Sequence, residues 1–366
     1  VNMCEGLNQL GYEVVLFAHS NSCNSLNCQK QLKNIYGVDN RKINLKVFHS
    51  KKNRGIEFII ALRALIYFTL DFIKNTEPQY IISRNLYAAT FLGLLFRRNV
   101  IYETHSPEYG FREKLQKWLL TSNKIKMVVI SEALKKIIQN FHHISSENIY
   151  VFHDAARSGQ LRLDLLQRTE LKRQLLSNKF DLDDYEKVIG YFGHLYSGRG
   201  IEIIEELAKK NSWCAFIVYG GNEADIREYK IRNTNKNLFF MGYIHPKKAR
   251  KAMAMMDVLL MPYQKSVSIG IKGIDTSKWM SPMKLFEYLS VGVPIISSNI
   301  SVLKEVLIDS ENCLLVEPDD VNAWSDALQR IISNVELEEK LGFNAHSLYK
   351  DKYTWKHRAK DMLDLL

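Results

Sequence analysis

The chain has 366 residues, 46% of them hydrophobic and 25% charged, the balance of a soluble globular protein long enough for two domains with full cores. Its net charge of +10 is uneven: residues 1–160 hold 21 Lys and Arg against 12 Asp and Glu (+9), while the remaining 206 hold 29 against 28 (+1). The five cysteines are scattered and odd in number, with no CxxC or Cys/His ligand spacing, which excludes a disulfide framework and structural zinc and leaves reduced thiols in a cytoplasm as the expectation.

In chain order, residues 1–12 read as the end of a helix stopped by Gly11, followed by a strand at 13–18. An alternating α/β domain places a strand before its first helix, so a first strand and its loop are expected to be missing. Strands are expected at 43–48, 80–83, 100–103, 127–131 and 149–152, with helical stretches between them. The apolar stretch Ile56–Ile73 is interrupted by Glu57, Arg63 and Asp71. A membrane span needs about 20 residues nearly free of charge, so this stretch reads as a packed or membrane-facing amphipathic helix. Residues 158–186 are polar, with a helix around 169–176, and contain the expected crossing between domains. Strand and helix alternate again from Val188 onward, giving two parallel α/β sheets.

Two segments of the second half carry chemistry. Val188-Ile189-Gly190-Tyr191-Phe192-Gly193 is an apolar strand ending in glycine, and His194-Leu195-Tyr196-Ser197-Gly198-Arg199-Gly200 follows before a helix at 201–209. Glycines 193, 198 and 200 let backbone approach a ligand, and a guanidinium at a helix mouth is a bidentate phosphate partner. In Ser281-Pro282-Met283-Lys284-Leu285-Phe286-Glu287-Tyr288 a helix starts after Pro282, ends at Gly292 and carries one carboxylate one turn inside. Helix N-terminal amides suit an anion, and a carboxylate further in suits a pair of hydroxyls. Diphosphate followed by ribose is the profile of a nucleotide.

The two segments, in this order and about 90 residues apart, resemble the retaining glycosyltransferases of family 4, the group 1 transferases of GT-B fold. In that family a Gly-Arg-Leu-x-x-x-Lys-Gly loop meets the donor diphosphate, and a Glu-x7-Glu element holds donor sugar and ribose. Arg199 falls on the loop lysine and Glu287 on the second glutamate. Phe216 to Gly221, Asn237 to Ile244, Asp257 to Pro262, Asn312 to Asp320 and Tyr353-Thr354-Trp355 resemble further family segments, the second being the strand under the base. Three positions depart from the pattern. Trp279 stands where the first glutamate belongs, His194 replaces the loop arginine, and Met280-Ser281-Pro282-Met283-Lys284 replaces a glycine-rich stretch. A Ser-Pro-x-Lys-x-x-Glu-Tyr variant occurs in many bacterial members, so a subgroup is implied.

The resemblance implies an α/β GT-B protein with two Rossmann-like parallel-sheet domains facing a cleft. Their expected extents are 1–155 on the acceptor side, 156–350 for the nucleotide-sugar, and 351–366 as a helix returning to the first domain. It also implies His105, on the loop opened by Val100-Ile101-Tyr102-Glu103-Thr104, as an active-site histidine that orients donor sugar or acceptor. Expected catalytic residues are His105, Arg199 and Glu287. Expected donor-binding residues are Gly193, His194, Arg199, Gly242, Tyr243, Ile244, Ser281, Met283, Lys284, Leu285 and Glu287. Glycoside hydrolases need two carboxylates across the bond, and no such pair is found. A nucleoside diphosphate is already a good leaving group, so no metal and no cofactor are expected, with a UDP-sugar donor placed ahead of a GDP-sugar.

The expected activity is transfer of a sugar from a nucleoside diphosphate to a glycan or lipid-linked acceptor in bacterial-type polysaccharide or glycoconjugate synthesis. A sugar-nucleotide epimerase of the same fold and a catalytically silent binding protein are the alternatives. The basic half predicts a cytoplasmic protein, peripheral on the inner face of the membrane. Lys51, Lys52, Arg54, Arg97, Arg98, Lys114 and Lys117 would meet anionic lipid, with Phe111, Trp118, Leu119 and Leu120 adding apolar contact. Nucleic acid would call for aromatics interleaved with the basic residues, and none stand out, so it is not an expected partner.

Overall fold

A computed structural model describes residues 1–20, 27–28, 43–49, 55–73, 78–145, 147–157, 159, 162–177, 181, 183–268, 270 and 275–366. The chain divides into two compact units, one of Val1–Asp154 with Trp355–Leu366, the other of Ala155–Thr354.

In the first unit, β1 (Val14–Ser20) and β2 (Ile43–His49) form a parallel pair. β3 (Ile82–Ser83), β4 (Val100–Thr104), β5 (Ile125–Val129) and β6 (Ile149–Val151) form a parallel four-stranded sheet in chain order. All five residues of β4 are buried, as in a strand covered on both faces. Glu103 is the one acid in that run, and its burial has consequences described below. The helices Asn2–Gln9 and Trp355–Leu363 lie so close that a Cβ on Gly6 would stand 2.2 Å from the Trp355 carbonyl oxygen. The helix Ile56–Ile73 forms over the whole expected stretch, and among the described residues no helix is long and apolar enough to cross a membrane.

In the second unit, β7 (Lys187–Phe192), β8 (Cys214–Tyr219), β9 (Leu238–Gly242), β10 (Val258–Met261), β11 (Ile295–Ser298) and β12 (Leu314–Val316) form one sheet in the order β12-β11-β10-β7-β8-β9, with every pair parallel. The order reverses direction at β7, and ligands of such sheets bind beyond the carboxyl ends of the strands at that switch. Asp257, just before β10, ties down the opposite end. Its Oδ2 accepts from the Val188 amide at 2.7 Å and from Lys172 Nζ at 2.7 Å, so this family-like aspartate is a brace. Lys172 belongs to the helix Leu165–Leu176, which starts four residues before its expected position because Asp164 and Gln167 form a capping box.

Two expectations are corrected. Cys28 is disulfide-bonded, whereas all thiols were expected reduced; a scattered set without framework spacing still permits a single bond. Cys4, Cys214 and Cys313 are buried free thiols. Leu119 and Leu120, expected on a lipid-facing surface, are buried at 0% and 6% exposure. They share a face of the helix Phe111–Leu120 with buried Gln116, spaced i, i+3 and i+4, while Phe111 and Trp118 lie seven apart on the exposed side.

Candidate active site

Among the described residues seven helices begin in the second unit, and five of them carry a side-chain cap, from Asp164, Asn222, His245, Asp320 and Asn334. The two that do not are Ile201–Lys210, which starts at Gly200 with φ +79°, and Met283–Val291, which starts at Pro282. Both start at the segments singled out in the sequence. A helix start without a side-chain cap leaves its first amides to another acceptor.

The helix Met283–Val291 is pinned by the residue after Glu287. Tyr288 Oη accepts from the Phe192 amide at 2.9 Å and donates to the Leu260 carbonyl at 3.3 Å, joining the helix to the ends of β7 and β10. Ser281 and Leu285 are buried, and the Leu285 amide donates to the Pro282 carbonyl, so Leu285 packs. Met283 is exposed.

Lys284 is buried, and its Nζ donates to no acceptor among the described residues. It lies 3.8 Å from the Tyr191 ring centroid and 4.9 Å from that of Tyr263. Arg199 lies beside Tyr263, donating Nη1 to its hydroxyl at 3.0 Å, while its Nε has no partner among the described residues. Glycine at 193 has φ +156°, a conformation that residues with side chains rarely adopt, and a Cβ there would stand 3.0 Å from Lys284 Cε and Nζ. Burial, then the charge of Arg199, pushes the Lys284 amine well below its ordinary range, and Glu287 opposes this. Burial raises the half-buried Glu287 carboxyl to about 7 against the pull of Lys284 and Arg250. His194 stacks on Tyr196, with centroids 4.8 Å apart, and is pushed down by partial burial, then by Arg199 and Lys284. This disfavours the cationic form of the ring in the unliganded protein. A buried amine with no acceptor is unfavourable for folding, and a bound polyanion would relieve it.

The three strand ends are stitched together. The Gly193 amide donates to the Tyr219 carbonyl at 3.0 Å and the Gly220 amide to the Gly242 carbonyl at 2.8 Å. A Cβ at Gly220 would fall 1.9 Å from the Gly193 carbonyl oxygen, so that position must be glycine. Beyond Gly242 a cavity of about 800 Å³ opens beside exposed Tyr243, lined also by Gly221, Asn222, Ile226 and Arg227. Ile244 follows, half-buried. The structure thus gathers Gly193, Arg199, Lys284 and Glu287 at one place, with Gly242 and Tyr243 two strands away. Sequence reasoning missed Tyr191, Tyr263 and Gly220. Tyr191 and Gly220 stood in quoted segments without a role, and Tyr263 directly follows one.

His105 lies in the first unit. Its Nε2 is 2.6 Å from Glu103 Oε1, and Glu103 is 6% exposed. Burial would raise the Glu103 carboxyl, but Arg358 first and then His105 hold it down at about 2. Among the described residues there is no group of three or more His, Cys, Asp or Glu that could hold a metal ion.

A family model described as "Glycosyl transferases group 1" matches residues 186–334. The capsular polysaccharide biosynthesis glycosyltransferase CapM of Staphylococcus aureus is 22% identical over 237 residues, 62% of this chain and 57% of that protein. An uncharacterised glycosyltransferase of Methanocaldococcus jannaschii is 20% identical over 257 residues, 68% of this chain and 61% of its own length. The chain therefore spans about three-fifths of these curated relatives. Among solved structures, Anabaena HepE in complex with UDP superposes with a TM-score of 0.68 at 13% identity, covering 97% of this chain and all of that one. Sucrose-phosphate synthase of Thermosynechococcus elongatus gives 0.64 at 14%, covering 96% and 98%. The chain has the GT-B fold, and residues 186–334 match the model of the group 1 glycosyltransferase domain.

Proposed function

We propose that the protein is a retaining glycosyltransferase that moves a sugar from a nucleoside diphosphate, UDP by preference, to a glycan or lipid-linked acceptor. The observation that carries this reading is Lys284: a buried amine with no acceptor among the described residues, beside Arg199 and two uncapped helix starts, with Glu287 one turn further in. Two cations and two sets of amides take the diphosphate, and Glu287 takes the ribose hydroxyls. The bond from sugar C1 to the diphosphate oxygen breaks with its electron pair leaving on the phosphate, whose growing charge is spread over Arg199, Lys284 and the amides. The acceptor hydroxyl attacks C1 on the same face while its proton passes to the departing diphosphate oxygen, with His105 taken to orient donor sugar or acceptor. The complexes of HepE with UDP and with UDP-glucose support a UDP donor, and the name of CapM supports a polysaccharide product. An epimerase or a silent binding protein is not favoured.

The acceptor side is proposed to work at an anionic membrane surface. Ile59, Leu62, Ile66 and Leu70 are exposed along one face of the helix Ile56–Ile73, and Phe111 and Trp118 are exposed on the helix Phe111–Leu120. Arg112 joins the two helices by pairing with Glu57. Lys51, Lys52 and Arg54 fall outside the described residues. Release of nucleoside diphosphate from a panel of UDP-, GDP-, ADP- and dTDP-sugars, with and without acceptor glycans, tests the activity. Turnover of one donor with transfer is expected; turnover of none would refute it.

A further inference from the structure

We propose that Glu103 and Arg358 are positioning residues that fix the ring orientation and tautomer of His105, an inference that rests on the role proposed for that histidine. Arg358 reaches Glu103 across 255 residues of sequence, from the helix Trp355–Leu363. It is 3% exposed and every nitrogen is used. Nη1 donates to Glu103 Oε2 at 3.2 Å, Nε to the His153 carbonyl at 2.9 Å, and Nη2 to the Phe152 carbonyl at 3.2 Å. The guanidinium thus holds the chain just after β6 and one oxygen of Glu103, leaving the other for His105 Nε2 at 2.6 Å.

The chemistry of the pair follows from protonation. Glu103 is ionised throughout the working pH range, because Arg358 and His105 outweigh its burial. An ionised carboxylate only accepts, so Nε2 of His105 must carry the hydrogen, and in the neutral ring Nδ1 is then the lone-pair nitrogen. The groups facing this pair are Arg84, whose Nε is 3.9 Å from Glu103, buried Asp154, and Arg358. Asp154 is kept towards its neutral form by burial, against the pull of Arg358 and His105. Glu103 is therefore the acceptor that decides the tautomer. The position in β4 explains why an acid is tolerated in a buried strand: a carboxylate that binds a guanidinium and an imidazole has its lone pairs satisfied.

The test uses the full chain with Glu103→Ala, Glu103→Gln, Arg358→Lys, His105→Ala and the double variant Glu103→Ala/His105→Ala. Loss of the acceptor should lower kcat for donor turnover about 100-fold, the scale of a displaced reacting group, with UDP affinity by calorimetry unchanged. In the double variant kcat should match His105→Ala alone, because residues acting as a unit are not additive. Nitrogen-15 spectra of the His105 ring should show the Nε2–H form in wild type and a tautomer mixture in Glu103→Ala. If that variant unfolds, Glu103→Gln, which keeps the shape but removes the acceptor-only carboxylate, carries the same readings. Arg358→Lys, which keeps the charge, should hold the tautomer and lower kcat less. An unchanged tautomer, an unchanged kcat, or a further fall in the double variant would overturn the proposal. Failure of wild type to turn over any donor would refute the transferase reading instead, and the ring spectra would still decide the tautomer.

Discussion

Replacing Lys284 with Met should make the protein more stable and worse at binding nucleotide. The amine is buried and has no acceptor among the described residues, which costs about 1–3 kcal/mol, while its contacts with the Tyr191 and Tyr263 rings return about 0.5–2 kcal/mol. Met keeps the apolar stem and removes the polar head, so a net gain of about 1 kcal/mol is expected. For the unit Ala155–Thr354 that is a rise in Tm of about 2–4 °C. Burial and Arg199 lower the Lys284 pKa, so between the folded value and the ordinary one the unfolded chain holds the extra proton. Wild-type stability therefore rises with pH in that window, and the advantage of Met should shrink towards alkaline pH. Loss of one charge-assisted contact to a diphosphate, about 1.5–3 kcal/mol, lowers UDP affinity about 10- to 100-fold. Paired thermal melts and UDP calorimetry read both effects. A Lys284→Met variant that is less stable and binds UDP normally would show that the amine serves packing.

Arg199→Ala should weaken UDP binding about 10- to 100-fold with the fold intact, since it removes a guanidinium that donates one hydrogen bond, to Tyr263; unchanged calorimetry would remove Arg199 from the site. Glu287 has its carboxyl raised to about 7, so the folded protein keeps a proton that the unfolded chain loses above the ordinary value. Its contribution to stability falls as pH rises from about 4.5 to 7, and Glu287→Gln should flatten that slope in pH-dependent melts. Wild type should also discriminate against a 2′,3′-dideoxy donor, and the variant should not; normal kinetics on both donors in Glu287→Gln would make it a helix residue only. Co-sedimentation with anionic liposomes should fall steeply with ionic strength and weaken on Leu62→Ser/Ile66→Ser substitution; equal binding to neutral vesicles, or none to either, would leave the basic excess as a solubility feature.

Much of this site could be read from local pattern. Pro282 and Gly292 bracketed a helix, Gly193, Gly198 and Gly200 marked close backbone approach, and apolar runs such as Val188–Phe192 announced a parallel sheet. What could not be read depends on contacts between distant residues. Lys284 looks like an exposed helix cation until Tyr191 and Tyr263 close over it. Glu103 looks anomalous in a buried strand until Arg358 arrives from the last helix. Gly220 is one glycine among 18 until the Gly193 carbonyl is placed 1.9 Å from where its Cβ would be. Leu119 and Leu120 are a different case. The i, i+3, i+4 spacing with Gln116 separates them from Phe111 and Trp118, and composition alone had merged the two faces.

Proton NMR of the product formed from a UDP-α-sugar and an acceptor glycan tests the central claim most directly. Release of UDP together with an α-linked product, at a rate lowered by Lys284→Met and by Glu287→Ala, is the predicted result. Absence of transfer with every donor, or a β-linked product, would contradict a retaining glycosyltransferase built on these residues.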